Sequence, residues 1–260
     1  MSVKYYEKER IFKLDTPNSS YILGVVDEEN FVGHAYYGKK LSDHNVGFLM
    51  RTEEAPFVPS KNNRDRVSFL DSFPMEYPGS GLGDYRGSCI SVKTKEGHTA
   101  VSLSYVSHKI YKGKPTLEGL PATFATEGEC ETLELVCEDK VLGLEVVLIY
   151  SAFCDVDVIA RSVRIKNKGN KSIYLTKVLS MCLDMDNKDF DLLTMHGSWA
   201  RERMIEYRKV GHGYQGVESF RGESSHQDHP FMALKAKNTT QENGEIYGFH
   251  FVYSGNFMGQ

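Results

Sequence analysis

Residues 131–153, ETLELVCEDKVLGLEVVLIYSAF, decide the fold. Asp139 and Lys140 mark a turn between two arms, ETLELVCED and LGLEVVLIYSAF. The second arm is apolar on both faces, which places it in the centre of a sandwich and not on a wetted sheet. The pair reads as a β-hairpin.

The flanking segments extend the same pattern. Downstream, VIARSVRIKN (158–167) meets the turn signal Asn167-Lys168-Gly169-Asn170. SIYLTKVLSMCLDM (172–185) then returns with Ile173, Leu175, Leu179, Met181 and Leu183 on one side, so a second hairpin is predicted across that turn. Residues 184–230 are polar and read as irregular. EIYGFHFVYSGNF (245–257) follows with alternating Tyr247, Phe249, Phe251 and Tyr253.

Upstream, RIFKLDT and SYILGVV are short strands broken at Pro17 and Asn18. The cluster Asp27-Glu28-Glu29-Asn30 turns the chain into FVGHAYYGKKL. AVSLSYVSHKIY (100–111) sets Val101, Leu103 and Tyr105 against Ser102 and Ser104, and Lys112-Gly113-Lys114-Pro115 turns the chain again. LEGLPATFAT reads as irregular or edge-like, because Pro121 cannot donate to a ladder. No window of 12 or more residues holds a 3.6-residue period. The expectation is an all-β chain built as a large antiparallel sandwich.

Composition narrows the class. The 260 residues suffice for one large β domain or two small ones. Lys and Arg total 31 against 35 Asp and Glu, a net charge of −4 without a basic stripe, which argues against a nucleic-acid partner. No run of 18 apolar residues marks a membrane span. The opening MSVKYYEKERIFKLD has no apolar signal core and reads as mature, cytoplasmic protein. Cys89, Cys130, Cys137, Cys154 and Cys182 are scattered without a C-x-x-C pair, which excludes a zinc ribbon and argues for a reducing compartment. Aromatics reach 12%, nearly all Tyr and Phe, a balance that favours β structure and sugar or peptide surfaces.

Function, if local, falls on residues 64–90, RDRVSFLDSFPMEYPGSGLGDYRGSCI. Pro78 and four glycines deny this stretch a regular period. It offers planar donors (Arg66, Arg86), acceptors (Asp65, Asp71, Glu76, Asp84) and aromatic faces (Tyr77, Tyr85), a set that suits a polyhydroxylated ligand. A structural loop whose arginines tie its own carboxylates together fits the same residues. The other constellations are weak. Asp184-x-Asp186 suits a solvated turn better than an acid–base pair. His226-Gln-Asp228-His229 lacks metal-ligand spacing. Ser224-Ser225 beside His226 has no nucleophile elbow. The glycines of Tyr77–Asp84 precede no helix, so they form no phosphate loop. Trp199 either stacks on a sugar or packs at a rim or core.

Five segments together resemble a known family. They are DSFPMEYPGSGLGDYR (71–86), SHKIYKGKPTLEGLPATF (107–124), GSWARERMIEYR (197–208), ESFRGESSHQDHPFMAL (218–234) and GEIYGFHFVYSGNF (244–257). In this order they are similar to the N-terminal region of bacterial α-galactosidases of glycoside hydrolase family 36. The resemblance implies that residues 1–260 form an N-terminal β-supersandwich, broken off before its last strands directly after Asn256-Phe257-Met258-Gly259-Gln260. It implies a parent enzyme with a catalytic (β/α)₈ barrel and a C-terminal β domain. That enzyme would hydrolyse terminal α-galactosides such as melibiose and raffinose with retention, through two barrel aspartates. Neither a K-W-D-x-N nor a D-D-G-W segment occurs here, so no catalytic residue is expected in this chain and the chain alone is expected to be inactive. No cofactor or metal is implied.

The same resemblance implies a homotetramer in which this domain reaches the active-site mouth of a neighbouring subunit. Carried over by position, the contacts fall on Glu54 and Arg66, with Asp84, Tyr85 and Arg86 beside them. Glu54 stands where the family pattern has an aspartate. A carboxylate and a guanidinium together clamp vicinal sugar hydroxyls. Two other readings stand beside this one: an autonomous carbohydrate-binding module with a platform at Trp199 or Tyr85, and a purely structural oligomerisation domain.

Overall fold

The structure is a computed structural model, and it describes residues 2–26, 28–43, 46–50, 73–82, 84 and 86–260. Two compact units emerge: residues 1–115 with 124–185, and residues 116–123 with 186–260. In chain order the first unit holds β1 (Val3–Tyr6), β2 (Ile11–Asp15), β3 (Ser19–Val26), β4 (Phe31–Lys39), β5 (Ile90–Thr94), β6 (Ser104–Lys112), β7 (Cys130–Asp139), β8 (Leu144–Phe153), β9 (Ile159–Asn167) and β10 (Ile173–Val178). The second holds β11 (Asp191–Ser198), β12 (Arg201–Lys209), β13 (Val217–Ser219), β14 (Asp228–Lys235), β15 (Ile246–His250) and β16 (Phe257–Gly259). One turn of 3₁₀ helix, Gly47–Leu49, is the only helical element among the described residues.

In the first unit, β1-β2-β3-β4 and β6-β7-β8-β9 are antiparallel meanders, each strand paired with its neighbour in sequence. Tight turns make most of these junctions, while residues 113–129 join β6 to β7. Arg10 and Asn30 adopt φ of 56° and 57° where β1 turns into β2 and β3 into β4, and the Arg10 guanidinium donates to Asn30 Oδ1 at 2.6 Å. The inner faces share one core: Phe12, Leu14 and Leu23 meet Leu133, Leu135, Val146, Leu148 and Tyr150, with Ile90 and Val92 of β5 among them. Each such side chain contributes about 1.5–3 kcal/mol relative to leaving it in water. The strand with two apolar faces, β8, is flanked by β7 and β9. Its residues from Val146 to Ala152 are all buried.

Four expectations are corrected. The hairpin predicted across residues 167–170 does not form: β9 pairs with β8, whereas β10 crosses to pair with β5, Ile173 opposite Thr94. The turn chemistry of that stretch is used differently. Lys168 N donates to Gly143 O at 2.8 Å, and Gly169 N to Asn167 Oδ1 at 3.0 Å, so the loop is tied to the β7–β8 turn and the chain is released toward β5. Regular structure in β10 also ends at Val178, and Leu175 is exposed, while Leu179 and Leu183 pack on the core from outside a strand.

In the second unit, the stretch read as irregular contains β11, β12 and β13 and the start of β14. The sheet runs β12-β11-β14-β15, with a short β13-β16 pair. Strand β12, RERMIEYRK, is exposed at all nine positions, so the polarity of its sequence reflects an edge strand and not a loop. Finally, the alternation read through Tyr253 stays in a strand only as far as His250.

Candidate functional site

Pro74 and Pro78 bracket Met75-Glu76-Tyr77 and keep this segment out of a regular strand. The segment nevertheless docks along β4. His34 N donates to Pro74 O at 2.7 Å, Glu76 N donates to Val32 O at 2.9 Å, and Gly33 faces Met75 in an isolated bridge. Glycine is required at 33, because a Cβ there would lie 2.4 Å from the Phe73 ring. This docking carries the Glu76 side chain into the sandwich, where it is fully buried.

A buried carboxylate needs donors, and Glu76 finds four residues on four strands. Tyr21 Oη of β3 donates to Oε1 and Oε2 at 2.7 and 2.9 Å. Tyr150 Oη of β8 donates to Oε1 at 2.8 Å. His34 Nδ1 of β4 lies 3.1 Å from Oε2, and Arg161 Nη2 of β9 lies 2.8 Å from Oε1. The Arg161 contact is an ion pair without hydrogen-bond alignment at Nη2, while Nη1 donates to Tyr21 Oη at 2.8 Å. The guanidinium also lies 4.1 Å from the centroid of the Tyr150 ring. Burial works to raise the Glu76 carboxyl, yet Arg161, His34 and Tyr21 outweigh it and hold the group below the usual carboxylate range. Burial drives the Tyr21 and Tyr150 hydroxyls well up, so both remain donors.

A second ionic group sits at the end of the same segment. Asp84 Oδ1 accepts from Arg86 N at 3.0 Å and from Arg86 Nε at 2.8 Å, and Arg86 Nη2 donates to Phe73 O at 2.7 Å. The two residues therefore clasp residue 86 to residue 73. Asp84 Oδ2 is buried without a hydrogen-bond partner among the described residues. Asp84 lines a cavity of about 20 Å³ shared with Tyr77, Leu82, Val101 and Leu103, a space that fits one water. Asp184 belongs to this field as well. Burial raises its carboxyl, Arg86 and His34 oppose the rise, and Asp84 and Glu76 add to it.

Of the residues expected to contact substrate, Asp84 and Arg86 are brought together as an ion pair, and Glu54, Arg66 and Tyr85 lie outside the described residues. The Glu76 cluster was not singled out as a unit from the sequence. Its signals were an arginine inside the strand ARSVRI and a histidine inside FVGHAYY, each in a context that otherwise reads as core. Asp228 Oδ1 lies 2.7 Å from His196 Nδ1, His229 stacks on His250 with ring centroids 6.0 Å apart, and Ser225 Oγ accepts from Gln227 N. No group of three or more metal-ligating side chains occurs among the described residues. Trp199 is 91% exposed at the β11–β12 turn, where Ala200 adopts φ of 60°. It is not a core residue.

Antiparallel sheets joined through a fully buried ion cluster define a β-sandwich domain whose charged residues hold an irregular segment in place. The chain belongs to the glycosyl hydrolase family 36 N-terminal domain family, whose profile matches residues 30–260. It is 42% identical over 261 residues to alpha-galactosidase AgaA of Geobacillus stearothermophilus, covering 100% of this chain and 36% of that protein. The crystal structure of GH36 alpha-galactosidase AgaB from the same organism superposes with a TM-score of 0.92 at 42% identity, over 99% of this chain and 35% of that one. A variant of AgaA in complex with raffinose gives a TM-score of 0.90 at 42% identity, over 95% of this chain and 34% of that one. The chain thus spans about a third of the length of these relatives.

Proposed function

We propose that this chain is the N-terminal β-supersandwich domain of a cytoplasmic α-galactosidase that releases terminal α-D-galactosyl residues from oligosaccharides of the melibiose and raffinose type with retention. The catalytic aspartates belong to a barrel domain outside these residues, and the chain alone is inactive. Its work is to support a homotetramer and to shape the substrate pocket of a neighbouring subunit through Glu54 and Arg66, with Asp84, Tyr85 and Arg86 as supporting contacts. The observation that carries this reading is the family match together with 42% identity along the whole chain to AgaA. The geometry adds a physical reason. The Asp84–Arg86 clasp fixes two of the proposed supporting contacts against the segment that begins at residue 73.

The first test is hydrolysis of a chromogenic α-galactoside by the 260-residue chain beside full-length AgaA. No turnover by the chain is expected, and turnover that survives repurification overturns the assignment of catalysis to the barrel. In the full-length parent enzyme, Arg66→Ala should raise KM; unchanged KM and kcat would remove the role in trans. The full exposure of Trp199 favours one second reading, a carbohydrate-binding module. That reading requires galactose to raise the melting temperature of the isolated chain by mass action, and no shift at saturating sugar rejects it.

A further inference from the structure

A second cavity of the first unit lies away from the Glu76 cluster. It is a polar hollow of about 670 Å³ on the β1–β2 side of the first meander, and Lys4, Lys13, Lys40, Asp15, Asp43 and Cys154 contribute to its wall. Its bonding is lopsided. Lys13, 1% exposed, uses all three N–H groups, on Asp15 Oδ2 at 2.7 Å, Leu41 O at 2.8 Å and Asp43 Oδ1 at 2.9 Å. Asp15 Oδ1 accepts from Ser20 Oγ at 2.6 Å, and Asp43 Oδ2 pairs with Lys4. All four carboxylate oxygens of the wall therefore already have a donor. Hydrogen bonds from Lys4 and Lys13 hold the Asp43 carboxyl down at about 2, so it stays ionised.

The donors are in a different position. Lys4 has a bond to Asp43 only, and Lys40 Nζ bonds only Thr16 O, at 2.8 Å, among the described residues. Each ammonium carries three N–H groups, so four remain for a ligand. Three lysines against two aspartates give the wall itself one positive charge in excess, which Asp157, bonded to Thr16 and acting on Lys40 from beside the wall, partly offsets. A hollow rich in free donors, poor in free acceptors and net positive suits a ligand that accepts hydrogen bonds and carries negative charge. The buried Lys13 scaffold holds both aspartates in place, so the acceptors cannot turn to compete for the free donors.

We propose that this hollow binds a hexose-sized small molecule carrying an oxyanion, with Lys40 and Lys4 as the donors to the anionic group. The volume is ample for a sugar ring beyond that group. Cys154 supplies an independent reporter, because its thiol is exposed and lies in the wall.

The test is isothermal titration of the 260-residue protein with glucose 6-phosphate, inorganic phosphate, glucuronate and glucose at low ionic strength. The charged probes should bind with dissociation constants near or below about 1 mM, and added salt should weaken them. Lys40→Glu, which alters an exposed side chain, should weaken glucose 6-phosphate at least about tenfold with the melting temperature retained. Glucose 6-phosphate should also slow alkylation of Cys154 by iodoacetamide, read by mass spectrometry. Binding by phosphate ester but not glucuronate assigns the site to phosphates; comparable binding by both assigns it to oxyanions in general. No binding of any charged probe, equal binding of glucose, or an unchanged affinity in Lys40→Glu overturns the proposal.

Discussion

Replacing Glu76 by Gln tests the centre of the first unit with one isosteric change. The amide keeps the volume but removes the charge, and one of its two acceptor positions becomes a donor. Tyr21 Oη now reaches both carboxylate oxygens, and Tyr150 Oη shares Oε1 with it, so at least one of these contacts is lost or reversed. The larger effect falls on Arg161. Its guanidinium, 6% exposed, would remain buried without a countercharge. Breaking a buried ion pair by removing one partner costs about 3–5 kcal/mol. For a chain of this length that lowers the melting temperature by roughly 6–20 °C, at 2–4 °C per kcal/mol.

Urea denaturation followed by tryptophan-independent far-UV circular dichroism gives the free energy directly. A loss below about 1 kcal/mol would refute the view that Glu76 neutralises Arg161 in the core. The double variant Glu76→Leu with Arg161→Met separates charge from packing. Both charges leave together, so the double variant should be more stable than Glu76→Gln alone, as expected for two groups that interact directly.

Three further outcomes follow from the geometry. Gly33→Ala forces the new methyl into the Phe73 ring and should destabilise the protein by about 1–3 kcal/mol, read as a lower urea midpoint at unchanged slope. In native protein Cys154 should react first with a thiol reagent. Cys137, buried and pushed up to about 12, and Cys89, raised by its contact with Cys182 and by burial, should react only on unfolding; early labelling of either contradicts the packing described. Burial, Arg203, His250 and His226 hold the His229 imidazole below its ordinary value of 6.5. The folded state then takes this proton less readily than the unfolded chain, so the stability is complete above pH 6.5 and declines as the pH falls below it. His229→Gln should flatten the decline of the melting temperature toward about pH 5.

What could be read from the sequence depended on whether the signal was local. The arms of β7 and β8 announce themselves, since Val146 to Ala152 has no polar face and only the middle of a sheet accepts that. The turns at residues 28–30 and 139–140 lie between strands that do pair in sequence order. The loop at 167–170 carries the same chemistry, yet the strand after it leaves for a partner far away in sequence, and turn residues do not encode that choice. Strand β12 was hidden because an edge strand exposed on both faces has no apolar period to show. The Glu76 cluster was illegible as a unit for a related reason. Its members at 21, 34, 76, 150 and 161 become neighbours only when two meanders and an irregular segment pack together. Asp84 and Arg86, two residues apart, were within reach of sequence reading, and their pairing matches the self-tied loop that composition also allowed.

The pairing of β5 with β10 has a kinetic consequence. Apart from β6 and β7, which residues 113–129 connect, the strands of the two meanders find their partners across short turns, so most of that pairing has low contact order and little loop entropy to overcome. Joining Thr94 to Ile173 instead encloses about 80 residues, including the whole β6–β9 meander. That ladder is expected to form late, over a sheet that is already built. Pulse-labelled amide exchange should find β7 and β8 protected before β5 and β10, and simultaneous protection would deny the order. Until the late ladder zips, β5 and β10 present unpaired backbone, and this is the interval in which the nascent domain is most exposed to misassociation.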